Sequence, residues 1–354
     1  MSNQSGNTDH DSVVHDVEID GYSWWYRMFY LFIMSYIVAV GALWVSLAML
    51  VVSALIQPFS VLRARIIKRW LGETYFTLAP YLLQSWNKID VKVLVKGSIK
   101  RDGSYLMLSN HIGSLDWMFG LATAHVLGPP FPGSVKAVVK KSLMYVPLFG
   151  WMFWALEFAF VERNWAKDEK NLSEYGKKIS DYPAPFWVAI WVEGSRQTAA
   201  KLRQSQEFCR QKGLPELQNL LFPRFKAFKA LSESLRDKID GVVNSTVIID
   251  VEKPTSLGSV LSANTKGSIY ILLEEHKFDE IADAETWLTG IWIQKDKLLS
   301  RYKVDKNAVL QEFTELPAHP QTSFAKVYTL SSVVVLTTVL ALIWMYYDPT
   351  VLLV

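Results

Sequence analysis

Hydrophobic and polar positions divide the chain into three unequal parts. No charged residue occurs from Met28 to Leu62, and Met28 to Ile56 is almost continuously apolar. As one helix, that stretch would run about 43 Å, against about 30 Å of hydrocarbon in a bilayer. It suits either one long tilted span or two shorter helices forming a hairpin in one leaflet. A second uncharged block, Val327 to Tyr347, reaches the roughly 20 residues that a span needs. Trp344, Tyr346 and Tyr347 at its end suit an interfacial aromatic belt. Residues 1–23 are polar and have the composition of a disordered tail. No small-residue cleavage site follows the first block, so 24–61 reads as an anchor and not as a removed signal.

Between the blocks the pattern alternates. Strand-like runs occur at 104–108, 135–139, 158–161, 186–192, 245–250 and 268–275. Helix-like stretches fall between or after them, at 114–127, 142–154, 165–180, 197–212, 226–238 and 283–300. Pro147, Pro183, Pro185, Pro215 and Pro223 punctuate the joints. This alternation predicts an α/β domain over 62–318, with a mostly buried mixed sheet flanked by helices, followed by a membrane helix over 325–347. In the stretch 283–300, Asp283 caps the start, Trp287, Leu288, Ile291 and Leu298 form the apolar face, and Lys295 and Lys297 are expected in water.

Composition narrows the function. Half of the residues are hydrophobic yet 20% are charged, which suits a soluble-type domain tied to a bilayer. A net charge of only +3 gives no reason to expect nucleic acid as a partner. The single cysteine, Cys209, excludes an intramolecular disulfide and a cysteine-based zinc site. The six histidines include no His-Glu-x-x-His cluster, so neither a metal nor another cofactor is expected. Arg63, Arg65, Lys68 and Arg69 follow the first apolar block and Lys326 precedes the second, whereas the N-terminal tail is acidic. The positive-inside rule then places the central domain in the cytosol, and the basic run is expected to attract a membrane surface.

Candidate chemistry begins at "SNHIGSLDW", 109–117. A strand ending near Leu108 delivers Asn110 and His111 into a loop at the sheet edge, where sites of α/β proteins form. Ser114 is a candidate helix cap, with Asp116 in the first turn. Residues five apart on one helix diverge by about 140°, so His111 and Asp116 meet only if the chain turns between them, which Gly113 permits. Asp116 could then hold one ring nitrogen and leave the other as a base; the alternative is a purely structural bond. Other strand ends carry Lys140 and Lys141, then Arg163, then Glu193, Gly194, Ser195 and Arg196. Four basic groups delivered to one edge make a natural phosphate cradle. The aromatic stretch "LMYVPLFGWMFWAL" is either a membrane-contacting or acyl-binding wall or an internal core helix. A serine hydrolase is disfavoured, because no Gly-x-Ser-x-Gly elbow occurs.

"NHIGSLDW", "FVER", "VEGSR" and "KKSLMYVPLFGW", in that order, resemble the sequence blocks of the glycerolipid acyltransferases, especially the plant-type microsomal 1-acylglycerol-3-phosphate enzymes. "FPRFKAFKAL" and "WLTGIWIQKDKLL" extend the likeness, which covers Leu62 to Tyr302. The resemblance implies acyl transfer from acyl-CoA to lysophosphatidic acid or another lysophospholipid, at a bilayer, in the endoplasmic reticulum. It implies His111 as general base and Asp116 as its orienter. It also implies Arg163 and Arg196 on the acceptor phosphate with Lys140 or Lys141 nearby, and Glu193 and Gly194 shaping the loop. Ser195 stands where the family usually has threonine and Val192 where it has proline. A fourth block usually contains a Val-Pro pair; "VVNSTVIID" has no proline, and no site residue is carried over from it.

Overall fold

The computed structural model describes residues 24–252 and 255–347. The polar tail 1–23 and the side chains of Tyr346 and Tyr347 lie outside the described residues. The strands are β1 Asp90–Lys96, β2 Tyr105–Ser109, β3 Val135–Lys140, β4 Ala159–Val161, β5 Trp187–Ile190, β6 Gly241–Val251, β7 Gly267–His276 and β8 Thr314–Glu315. They form one mixed sheet in the order β4-β3-β5-β2-β6-β7-β1-β8. The run from β4 through β6 is parallel, β6 and β7 are antiparallel, β1 is parallel to β7, and β8 pairs antiparallel with β1.

Helices cover both faces. Along β2, Tyr105 and Met107 join one core and Leu106 and Leu108 the other. Along β5, Trp187 and Ala189 face the first core and Val188 and Ile190 the second. Burial on both faces is why these strands read as continuous apolar runs and not as alternating ones. The expected helix over 142–154 is divided. A short 3₁₀ segment, Lys141–Tyr145, precedes Phe149–Ala155, and the break falls at Pro147. Proline lacks the N–H and disfavours helical backbone in the residue before it; Val146 is extended accordingly, with ψ of 117°.

Two helices, Trp24–Leu55 and Ala325–Trp344, are long and apolar enough to cross a membrane. Trp24–Leu55 is one unbroken helix. The two pack together where Leu330 meets Gly41, and Tyr36 and Thr338 share a hydroxyl hydrogen bond of 2.5 Å.

The basic run after Leu62 differs from expectation. It lies in a helix, Val61–Phe76, whose charges mostly turn inward. Arg65 is buried and binds both carboxylate oxygens of Glu157, at 2.7 and 2.8 Å. Lys68 is buried and donates to Gln57 Oε1 at 2.8 Å, and Arg69 donates to the Pro183 carbonyl at 3.1 Å. Lys326 pairs with Glu73 at 2.6 Å. Only Arg63 of the run is exposed, so the run docks the helices onto the domain and does not form a basic surface.

Lys136 of β3 belongs to the same buried charge cluster. Its Nζ donates to the Gly133 carbonyl and to the Tyr182 hydroxyl, at 3.2 and 3.1 Å. Burial pushes the ammonium down to about 7, with Glu157 opposing and Arg69, Lys68 and Arg65 reinforcing the shift. Between about 7 and the ordinary value of 10.5, the unfolded chain holds a proton that the folded chain has shed. Stability therefore rises with pH through that window. Lys136→Met is expected to flatten that rise, measured as melting temperature from neutral pH into the lysine range.

Candidate active site

The chain leaves β2 at Ser109 under tight control. Asn110 is buried, and its side-chain amide clamps the Val247 backbone of β6, donating at 3.0 Å and accepting at 2.8 Å. His111 follows. Its backbone N–H donates to Glu193 Oε1 at 3.2 Å, and its carbonyl accepts from the Gln197 N–H at 2.8 Å. Three neighbouring strands thus hold the residue before its ring does anything.

The ring meets Asp116, with Nδ1 and Oδ2 2.7 Å apart. The other oxygen of Asp116 accepts the Gly113 N–H at 2.9 Å, so the carboxylate is fixed at both ends. The His111 side chain is 23% exposed and that of Asp116 only 3%. Nε2 makes no hydrogen bond among the described residues. The turn falls at Gly113 as its sequence position suggested, but Ser114 does not cap the helix. The helix is Asp116–Leu127 with Leu115 in the cap position, and the Asp116 side chain reaches back to the turn instead. The Trp191 ring lies 5.8 Å from that of His111, centroid to centroid.

The loop after β5 supplies the adjacent wall. Gly194 has φ of +69°, left-handed backbone that favours glycine, and an added Cβ would lie 3.1 Å from the Arg224 side chain. Burial pushes the Glu193 carboxyl up to about 7, against the His111 and Leu221 N–H groups and the charge of Lys295. Ser195 is half-buried and Arg196 exposed.

The more distant strand ends carry the remaining charges. At the end of β3, Lys140 is exposed, and Lys141 binds Glu162 at 2.5 Å, which raises the lysine and lowers the carboxyl. After β4, Asp168 accepts the N–H groups of Glu162 and Asn164 at 2.8 and 2.9 Å, tying a turn around Arg163, whose φ is +63°. Arg163 is exposed and, like Arg196 and Lys140, forms no ion pair among the described residues.

Because β4, β3, β5 and β2 are parallel neighbours, all four loops leave from one edge of the sheet. Three strand spacings, about 14 Å, separate the outermost pair. His111, Asp116 and Glu193 form a hydrogen-bonded group, with Gly194 next in the chain; Lys140, Lys141, Arg163, Ser195 and Arg196 share its edge. No three His, Cys, Asp or Glu side chains group as a metal site among the described residues. The sequence pattern brought Asn110 to this edge without giving it a role, and did not single out Trp191. It misplaced Lys295, which is buried at 2% exposure and not in water. Lys297 of the same helix is exposed.

An acyltransferase family model matches residues 90–220, from β1 through all four edge loops. Over 271 residues the chain is 30% identical to 1-acyl-sn-glycerol-3-phosphate acyltransferase 3 of Arabidopsis thaliana, covering 74% of this chain and 71% of that one. The chain belongs to the 1-acyl-sn-glycerol-3-phosphate acyltransferase family. The relative named acyltransferase 2, also from Arabidopsis thaliana, is 31% identical over 270 residues, 74% of this chain and 69% of its own. Among solved structures, the 1-acyl-sn-glycerophosphate acyltransferase of Thermotoga maritima superimposes with a TM-score of 0.47 at 13% identity, covering 78% of this chain and 98% of that one. In this family member every edge residue named above falls inside the matched segment 90–220, whereas Lys295 lies beyond it.

Proposed function

We propose that the protein transfers a fatty acyl chain from acyl-CoA to the free sn-2 hydroxyl of 1-acyl-glycerol-3-phosphate, giving phosphatidic acid. The observation that carries this reading is the His111–Asp116 bond of 2.7 Å at the sheet edge, with unpaired arginines on neighbouring strand ends, in a member of this family. The acyl donor is an activated thioester, so the protein needs no nucleophile of its own. Nε2 of His111 takes the proton from the glycerol hydroxyl as its oxygen attacks the thioester carbonyl. Collapse of the tetrahedral intermediate breaks the carbon–sulfur bond, and the CoA thiolate leaves with the proton that His111 returns. Asp116 keeps the Nδ1 proton in place and offsets the imidazolium charge. Arg196 and Arg163 bind the acceptor phosphate with Lys140 nearby, while Lys141 is already engaged by Glu162.

The two apolar helices hold this edge at a bilayer, where both the acceptor and the product reside. We place the protein in the endoplasmic reticulum with the catalytic domain facing the cytosol. The alternative acceptors are lysophosphatidylinositol and lysocardiolipin, which share the phosphate chemistry. An acyl-CoA transfer assay of the purified protein against a panel of lysophospholipids decides between them. Preference for lysophosphatidic acid is expected; transfer to one of the other acceptors alone would sink the assignment.

Arg196→Ala should raise KM for the acceptor by about 10- to 100-fold with kcat little changed, as for the loss of a charged hydrogen bond used in binding. An unchanged acceptor KM would remove Arg196 from the phosphate site.

A further inference from the structure

Two buried groups of opposite charge flank the strand that carries His111, and the transfer chemistry leaves them without a task. Lys295, on the helix Ala284–Val304, is 2% exposed, and its Nζ donates to the Ser245 carbonyl at 2.7 Å. The ammonium also sits 4.2 Å from the centroid of the Trp292 ring. Ser245 of β6 is paired in register with Ser109, the last residue of β2, directly before Asn110 and His111. On the opposite flank of β2, Glu193 is 2% exposed and holds the His111 N–H with one oxygen. Its other oxygen is buried without a hydrogen-bond partner among the described residues.

Three carboxylates act on this interior. Asp116 is bound to His111, Glu274 of β7 has Lys96 at 3.3 Å, and Glu193 forms no ion pair among the described residues. Lys295 is the buried cation that acts on Glu193, and the fields of Glu193 and Glu274 both favour its charged form. A buried carboxylate without a counter-charge is costly and takes up a proton instead. Once protonated, it becomes a donor at the point where the His111 N–H requires an acceptor.

We propose that Lys295 is a positioning residue for acyl transfer: it supplies the counter-charge to the Glu193 carboxylate and holds β6 at Ser245, opposite the end of β2, and so keeps the His111 backbone clamped with its ring on Asp116. The inference rests on the reading of His111 as the base. Burial drives the two groups toward one another, Glu193 up to about 7 and Lys295 down to about 7, each opposed by the other's charge. The N–H groups of His111 and Leu221 and the carboxylates of Asp116 and Glu274 also act on these two groups. Loss of Lys295 removes the buried cation that lowers Glu193, so Glu193 stays protonated to higher pH. The acid limb of the activity profile moves up with it.

The test uses the full chain in vesicles with three variants: Lys295→Met, Glu193→Gln and the two combined. Glutamine keeps an acceptor for the His111 N–H but carries no charge. Lys295→Met alone should lower kcat by about fivefold or more, with both KM values little changed and the acid limb at higher pH. In the Glu193→Gln background the same substitution should cost less than about threefold, because the charge it served is gone. The proposal is overturned if Lys295→Met alone costs less than about fivefold, or if it costs about threefold or more in the Glu193→Gln background. Should Lys295→Met alone fail to fold, the comparison of Glu193→Gln with the combined variant decides by itself. Retained turnover in a His111→Ala protein would sink the base assignment instead, so the two failures are distinguishable.

Discussion

His111→Ala should lower turnover by about 10²–10⁴-fold while leaving the protein folded. The ring is partly exposed and its one hydrogen bond goes to Asp116, so little packing is lost. The backbone bonds to Glu193 and Gln197 do not depend on the side chain and survive the change. The residual rate comes from positioning and from whatever stabilises the tetrahedral intermediate, neither of which needs the imidazole. Asp116→Asn separates orientation from basicity. Asparagine can still accept the Gly113 N–H through its amide oxygen but presents no second carboxylate oxygen to Nδ1, and it cannot offset an imidazolium. Turnover of the purified His111→Ala variant, read beside its melting temperature, checks the assignment. Wild-type turnover would remove His111 from the chemistry, and a collapsed melting temperature would make its role structural.

Glu157→Ala is expected to cost about 3–5 kcal/mol of stability, the usual range for breaking one side of a buried ion pair. Glu157 is the acceptor for Arg65 on two oxygens and has Lys178 at 3.4 Å. Its removal takes from buried Arg65, Lys68 and Lys136 the carboxylate that acts on all three, and leaves Arg65 the smaller effect of Asp181. Burial alone would raise this carboxyl, but the Arg65 bond and the neighbouring lysines outweigh it and hold the group below the ordinary value of 4.5. Its stabilising contribution is therefore present above that value and is lost as pH falls through the lower folded one. The double replacement Arg65→Met/Glu157→Leu should recover most of the loss, since well-packed apolar groups of similar volume often replace a buried pair at no cost. If urea unfolding shows Glu157→Ala unchanged, the pair does not hold the Val61–Phe76 helix to the domain.

The central strands and the helix of Asp116–Leu127 were legible because burial on nearly all sides writes each as an almost continuous apolar run. Two strands were not. β8 has only two residues, too short for any pattern. β1 carries Asp90, Lys92 and Lys96 among its valines, and its pairing with β7 and β8 makes it a strand. The Val61–Phe76 helix was missed because its charged residues read as a basic run at a membrane surface, whereas Arg65 and Arg69 face partners more than ninety positions away.

The same division holds for the site. Sequence alone determined that the chain is an α/β domain between two membrane-length apolar segments. It also determined that His111 and Asp116 could meet only across a turn at Gly113, because helical geometry separates positions five apart. Motif order then led to the acyltransferases. Tertiary structure decided what a one-dimensional pattern does not encode, namely which distant charges face each other. Lys295 and Lys297 are two positions apart on one helix, yet one is buried at 2% exposure beside Ser245 and the other is exposed. Nothing in the spacing of lysines separates them. A charge enters the interior only where a partner from another part of the chain meets it, and those partners are assembled by the fold.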